Sequence, residues 1–252
     1  SYGDVPWLRK ALPVCLARIE PMLKQIPLPI SLEGSAIFDN FFITNDNRAL
    51  LSTLKDFGTP QSSDNFIYLW GEAGSGISYL LSAIQNNLST LTMQYLPLKD
   101  LSKYPPAMVL DEIDQLQLIC IDDIESIVGN SAWEEALFHL FNQLRDQDKR
   151  LVIGSHKAPR ELSLNLKDLY SRLQWGTVLH ISALDESDKQ AAIKVRATQL
   201  GLELPDDVAN FLLKRVKRSS GDLFTIISML DKASLINQRK LTIPFVKQAL
   251  SL

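Results

Sequence analysis

A glycine-rich segment between an apolar run and a helical pattern constrains the fold of this chain more than any other feature. Residues 66–70 are apolar or aromatic, the letters GEAGSG follow at 71–76, and apolar residues then recur with helical spacing over 77–84. This order predicts a buried strand, a phosphate-binding loop and a helix whose first N–H groups point at one anion. An ordinary strand-to-helix loop is the alternative interpretation.

The spacing fits the P-loop pattern G-x-x-x-x-G-K-[ST] at every position except one. Gly71 and Gly76 supply the glycines and Ser78 supplies the hydroxyl, but Ile77 stands where the lysine should be. A unit charge about 4 Å from a phosphate oxygen is worth roughly 4 kcal/mol at an effective dielectric near 20. We therefore expect this loop to bind a nucleotide better than it hydrolyses one.

Further strand-like runs follow at residues 93–96, 118–121, 151–153 and 178–181, with helical patterns between them. Strands that alternate with helices predict an α/β fold with a five-stranded parallel sheet covered on both faces. Beyond residue 182 only helical patterns remain. We expect a leader over residues 1–35, an α/β nucleotide-binding domain over 36–182 and a small all-α lid domain over 183–252.

Two carboxylates follow the apolar run at 118–121, namely Asp122 and Asp123. This is the Walker B pattern, in which one acid holds Mg²⁺ and the next polarises an attacking water. A chance pair of acids at the end of a buried strand is the alternative. Ser155 and His156 end the following strand, and we expect them near a γ-phosphate at the same edge of the sheet.

Composition excludes several classes of protein. The formal net charge of −3 argues against a chain whose main task is to grip nucleic acid. Cys15 and Cys120 are too far apart for a metal motif or a disulfide framework, so a reducing cytoplasm fits best. The three histidines are scattered, and no apolar run approaches the length of a membrane span.

A short proline-containing peptide precedes the α/β region. Its two prolines fix an extended backbone and reduce the ordering entropy of docking into a pocket on another protein. It resembles the Gln-Leu-x-Leu-Pro-Leu peptide by which bacterial replication proteins bind the sliding clamp, and an apolar linker packed on its own domain is the alternative. The positions of the match are Gln25, Ile26, Leu28, Pro29 and Ile30.

Taken in order, these features resemble an AAA+ module of the DnaA branch over about residues 36–252. Phe38-x-Asn40-Phe41-x-Ile43 is similar to the family segment that flanks adenine and ribose, and residues 169–176 resemble the family's arginine-finger box around Arg172. The resemblance implies a nucleotide site made by Phe38, Phe41, Ile43, Gly71, Ala73, Gly74, Ser75, Gly76, Ile77, Ser78 and Tyr79.

Within that branch the chain looks most like the regulatory members that inactivate the initiator. The resemblance implies a regulator that sits on the DNA-loaded sliding clamp of DNA polymerase III and promotes hydrolysis of the ATP held by DnaA. Arg172 would act in trans as the arginine finger, and Asp122 and Asp123 would complete the catalytic set. The chain would contact DNA mainly through the clamp, and the resemblance implies no membrane. It leaves open whether the chain forms a homodimer. We also expect no helix-turn-helix domain after the lid.

Two departures from the family pattern concern charge. Ile77 replaces the lysine, and Gly221 stands where the family usually places a phosphate-sensing arginine of the lid. Both departures remove positive charge from the part of the site that would face the β- and γ-phosphates of a nucleotide. We therefore expect a bound nucleoside diphosphate, foremost ADP, and little hydrolysis. Mg²⁺ would be held only weakly, by Ser78 and Asp122, and Asp122 and Asp123 would be mainly structural.

Two other functions stay open. The first is a different AAA+ replication ATPase, such as a clamp-loader subunit or a helicase loader, although such a machine normally needs the lysine that Ile77 replaces. The second is an adaptor without a ligand, in which the glycine loop is a remnant.

Overall fold

The computed structural model describes residues 36–57, 59, 62, 64–88, 90–111, 113–215, 220–237 and 240–250. The peptide predicted to contact a clamp, residues 25–30, lies outside this part of the chain.

Five parallel strands form the central sheet, and they confirm the predicted α/β architecture. The sheet order is β2-β3-β4-β1-β5. The strands are β1 (Phe66–Gly71), β2 (Met93–Pro97), β3 (Leu118–Asp122), β4 (Arg150–Ser155) and β5 (Thr177–Ile181). Because all neighbouring pairs are parallel, the carboxyl ends of the strands meet at one edge of the sheet. The glycine loop after β1 and the two carboxylates at the end of β3 are therefore brought to the same edge.

The helices, in chain order, are α1 (Arg48–Asp56), α2 (Ile77–Asn87), α3 (Leu98–Leu101), α4 (Pro106–Val109), α5 (Ser131–Asp146), α6 (Lys167–Leu173), α7 (Glu186–Gln199), α8 (Asp206–Arg215), α9 (Ser220–Asn237) and α10 (Ile243–Ala249). None of these helices is long and apolar enough to cross a bilayer.

Both faces of the sheet are covered, as the continuous apolar strands predict. Leu118 and Cys120 of β3 share a hydrophobic core with α1 and α2. Ile119 and Ile121 point to the other face and share a core with α5 and α6. This alternation follows from the two-residue period of a strand, and it fixes which side chains can reach the start of α2.

After β5 the structure describes four helices, α7 to α10, which have a separate hydrophobic core. The domain boundary predicted at residues 182 and 183 falls between β5 and α7. The buried members of this core are Ile193, Ala197, Val208, Ala209, Leu212, Leu223, Ile227, Leu230, Leu241, Phe245 and Val246.

A buried glutamate joins α5 to the segment that leads into α6. Glu134 is 1% exposed, and its two carboxylate oxygens accept hydrogen bonds from the backbone N–H groups of Gly129, at 2.9 Å, and Leu166, at 2.8 Å. Leu166 directly precedes α6, the helix that contains Arg172. A buried carboxylate is stable only when its oxygens are satisfied, so Glu134 fixes the start of this helix.

We expect Glu134→Ala to lower the free energy of unfolding by about 2–4 kcal/mol, because it removes two hydrogen bonds between a buried charged carboxylate and backbone N–H groups. Glu135→Ala is the matched control, since the side chain of Glu135 is 73% exposed. Urea denaturation of both variants measures the difference. Equal stability of the two variants would contradict this role for Glu134.

Candidate functional site

The loop after β1 has the backbone shape of a phosphate cradle. Gly74 and Gly76 adopt left-handed conformations, with φ of 81° and 102°, which favour glycine. The hydroxyl of Ser75 is buried and has no hydrogen-bond partner among the residues that the structure describes. It lies over Gly71, where an added Cβ would come within 2.8 Å of it. An unpaired buried hydroxyl inside a glycine loop indicates that a polar ligand completes this site.

The start of α2 is open to an anion. Gly76 precedes its first turn, and no side chain caps the N–H groups there. Uncapped N–H groups and the positive end of the helix dipole attract a phosphate. The predicted loop residues, which include Ala73, lie between β1 and α2, and Ile77, Ser78 and Tyr79 are the first three residues of α2.

An aromatic segment covers the loop from the side that the family resemblance assigns to the base. The ring of Phe41 lies so close to Gly76 that an added Cβ would be 2.7 Å from it, and it is 5.8 Å from the Tyr79 ring. The Tyr79 hydroxyl donates to the carbonyl of Ile37 at 3.0 Å, which ties this segment to α2. Phe38 is buried and Ile43 is 48% exposed, so Ile43 is free to contact a ligand.

The side chain at the lysine position belongs to the hydrophobic core. Ile77 is 2% exposed and packs in the core with α1 and α2. An added Cβ on Gly154 would be 2.7 Å from Ile77 Cγ2, so the isoleucine lies against β4. The cation of an ordinary P-loop is therefore replaced by a buried apolar contact. Gly221 lies within α9.

Each of the two Walker B carboxylates has partners within the protein. Asp122 is 2% exposed, and its Oδ2 accepts a hydrogen bond from the Tyr95 hydroxyl at 2.6 Å. Its Oδ1 accepts from the backbone N–H of Asp123 at 3.0 Å. Asp123 Oδ1 is 3.4 Å from His156 Nε2, and His156 Nδ1 is 3.4 Å from the carbonyl oxygen of Gly71.

Ser155, which was expected near a γ-phosphate, also has an internal partner. Its hydroxyl donates to Glu125 Oε2 at 2.9 Å, and Glu125 Oε1 accepts from the His156 N–H at 3.2 Å. Asp123, Glu125 and His156 form a cluster in which one carboxylate oxygen or ring nitrogen from each residue lies within 4.8 Å of the other two. The polar groups of a hydrolytic centre are present here, but they contact each other.

Sequence reasoning missed Tyr95 and Glu125. Tyr95 pairs with Cys120 across β2 and β3, and Asp122 lies two residues further along the same face. A long side chain can reach such a diagonal neighbour, but only the strand register reveals the pair. Glu125 lies in the 3₁₀ turn Ile124–Ile127 after β3, which has no sequence pattern that points to Ser155.

Arg172 lies at the opposite end of the sheet. It is half-buried in α6, with its guanidinium carbon 5.6 Å from the centre of the Trp175 ring and 5.9 Å from that of Phe138. Trp175 stacks on Phe66, the first residue of β1, at 6.0 Å, whereas the glycine loop begins at the last residue of β1. A strand of this length separates its ends by about 16 Å. Arg172 is therefore remote from the chain's own phosphate loop.

Two family models and one relative match this chain. Residues 186–250 match the family model "Hda, lid domain", and residues 107–182 match the model of the bacterial DnaA ATPase domain. An uncharacterised protein of Haemophilus influenzae is 41% identical over 234 residues, which cover 92% of this chain and all of that protein.

Solved structures show the same fold. Domain III of the Thermotoga maritima replication initiation protein DnaA superposes with a TM-score of 0.72 at 26% identity, covering 86% of this chain and 95% of that one. The AMPPCP-bound DnaA of Aquifex aeolicus gives a TM-score of 0.68 at 24% identity, covering 81% of this chain and 67% of that one.

Protonation of Asp123 gives the site a testable pH dependence. Burial raises the pKa of its carboxyl above the ordinary 3.8, and the charges of Asp122 and Glu125 raise it further, while His156 and Lys99 oppose them. The folded protein therefore binds this proton more tightly than the unfolded chain. Ionisation of the Asp123 carboxyl therefore lowers the free energy of unfolding as pH rises through the folded pKa. The whole of this loss is present above that pKa.

We expect Asp123→Asn to raise the free energy of unfolding at neutral pH, with a gain that fades as pH falls towards 3.8. Asparagine tolerates the left-handed conformation of this residue, whose φ is 54°. Asp148→Asn is the control, because Asp148 is exposed and has a similar φ of 52°. Urea denaturation across pH tests this, and a neutral-pH loss for Asp123→Asn would contradict it.

Proposed function

This chain belongs to the Hda-like, DnaA-homologous AAA+ proteins, and we propose that it is a negative regulator of DNA replication initiation. In this proposal it binds a nucleotide and the DNA-loaded sliding clamp in the cytoplasm, and it stimulates hydrolysis of the ATP held by DnaA. The position of Arg172 carries the proposal.

Arg172 suits action on a neighbour's nucleotide. It is about a strand length away from the chain's own glycine loop, so it cannot neutralise charge there. The rings of Phe138 and Trp175 attract its guanidinium and restrict where it points, while Trp175 remains 53% exposed. A planar, permanently charged group presented at an open surface fits the charge that develops on a transferred phosphoryl group.

The chain's own nucleotide has a different role in the proposal. The unpaired Ser75 hydroxyl and the uncapped start of α2 support phosphate binding. Two features support a nucleotide that is retained and not hydrolysed. Ile77 is apolar, and the side chains of Asp122, Asp123 and Ser155 have partners within the protein. We propose that a nucleoside diphosphate, foremost ADP, contacts both α2 and the segment 37–43.

That segment also meets the lid. Gln199 Nε2, at the end of α7, donates to the carbonyl oxygen of Asn40 at 3.4 Å. A nucleotide against Phe41 and Ile43 would therefore influence the placement of the lid on the α/β domain. In this proposal the bound nucleotide is structural, and it sets the surface that DnaA meets.

We expect Arg172→Ala to abolish stimulation of DnaA-bound ATP hydrolysis, because arginine fingers supply about 10³–10⁵-fold in rate. Arg172→Lys should recover little, since an ammonium lacks the planar fork of a guanidinium. Single-turnover hydrolysis with clamp-loaded DNA measures this. The control is Arg145→Ala, since Arg145 lies 5.4 Å from the same Trp175 ring but is paired with Asp146. Full stimulation by Arg172→Ala would contradict the proposal.

Clamp binding is proposed for Gln25, Ile26, Leu28, Pro29 and Ile30. We expect Gln25→Ala to weaken capture by immobilised clamp and to remove stimulation that depends on loaded clamp, because the glutamine would enter the clamp pocket first. Ser31→Ala, just outside the peptide, should behave as the wild-type chain. If Gln25→Ala binds the clamp as tightly as Ser31→Ala does, this assignment is wrong.

A further inference from the structure

Tyr95 contacts Asp122, one of the two residues that the sequence predicts to hold Mg²⁺. Its hydroxyl donates to Asp122 Oδ2 at 2.6 Å, while the other oxygen of that carboxylate accepts from the backbone of Asp123. Ser78, the second residue of α2, also lies within hydrogen-bonding reach of the same phenol. The phenol thus lies between the two side chains predicted to hold Mg²⁺, Ser78 and Asp122.

The register of the sheet explains this placement. Tyr95 is opposite Cys120, and Asp122 lies two residues beyond Cys120, so all three side chains share the face of the sheet that α2 covers. The hydroxyl of Tyr95 is the donor and the carboxylate of Asp122 is the acceptor of their hydrogen bond.

These residues do not fit a magnesium ion. Mg²⁺ requires near-octahedral oxygen ligands at about 2.0–2.1 Å and retains several waters. Here both oxygens of Asp122 already accept hydrogen bonds, one from the Tyr95 hydroxyl and one from the backbone N–H of Asp123. A neutral donor satisfies the buried carboxylate without adding a positive charge.

We propose that the hydroxyl of Tyr95 substitutes for Mg²⁺ between Ser78 and Asp122, so that this chain binds its nucleoside diphosphate in the metal-free form. This inference rests on the nucleotide binding proposed above. It deepens that proposal, because it accounts for the choice of a diphosphate. Without a lysine or a metal ion beside Asp122, Asp123 and Glu125, the additional charge of a γ-phosphate would be repelled.

The test is calorimetric titration of ADP into the nucleotide-free full chain, in a buffer with excess Mg²⁺ and in one with excess EDTA. For the wild-type chain we expect the Kd in EDTA to be equal to or tighter than that in Mg²⁺. Tyr95→Ala removes the phenol and opens room beside Asp122. For this variant we expect tighter binding in Mg²⁺ than in EDTA, by about tenfold or more. Tyr104→Ala, a partly buried tyrosine on the other face, should behave as the wild-type chain.

Weakening of wild-type ADP binding in EDTA by more than about threefold would overturn the inference and leave the proposed nucleotide binding intact. Equal metal dependence of Tyr95→Ala and wild type would also overturn it. Absence of ADP binding in both buffers would overturn this inference and the nucleotide part of the proposed function together. If Tyr95→Ala does not fold, the comparison of the wild-type Kd for ADP in Mg²⁺ and in EDTA tests the inference by itself.

Discussion

The parallel pairing of five strands is the constraint on which the rest of this structure depends. Because every neighbouring pair runs in the same direction, the glycine loop, the Walker B carboxylates and Ser155 all meet at one edge of the sheet. The same polarity places the turn after α6, with Trp175 against Phe66, at the other edge. One sheet thus separates a place where a nucleotide can be held from a place where a guanidinium can be presented.

The two edges are stabilised in different ways. At the carboxyl edge the polar groups satisfy each other: Tyr95 with Asp122, His156 with Asp123, and Ser155 with Glu125. Such a network favours a fixed arrangement, because the carboxylates of Asp122, Asp123 and Glu125 have partners within the protein. The buried carboxylate of Glu134 fixes the start of α6, and at the amino edge aromatic rings limit the positions of Arg172. The polar network that follows β3 and β4 and the aromatic surroundings of Arg172 therefore lie at opposite edges of one sheet.

The sequence predicted the elements of this fold well and their side-chain pairings poorly. The five strands, the glycine loop and the helical region after β5 follow from apolar runs, glycine spacing and periodicity, and the structure confirms them. Tyr95 lay inside a predicted strand, but its bond to Asp122 depends on the register of β2 against β3, which no local pattern encodes. The same holds for Glu134, which follows Trp133 in an ordinary amphipathic helix and meets Leu166 only in the fold. The roles of Arg172 and of residues 25–30 remain proposals that rest on the family resemblance.

The central claim is that the chain promotes hydrolysis of a nucleotide that it does not itself hold. The most direct measurement places ATP labelled at its γ-phosphate on only one of the two proteins before they are mixed with clamp-loaded DNA. We expect rapid release of labelled phosphate when DnaA is preloaded, and no acceleration above the slow background when this chain is preloaded. Release that is fast only when this chain carries the label would contradict it.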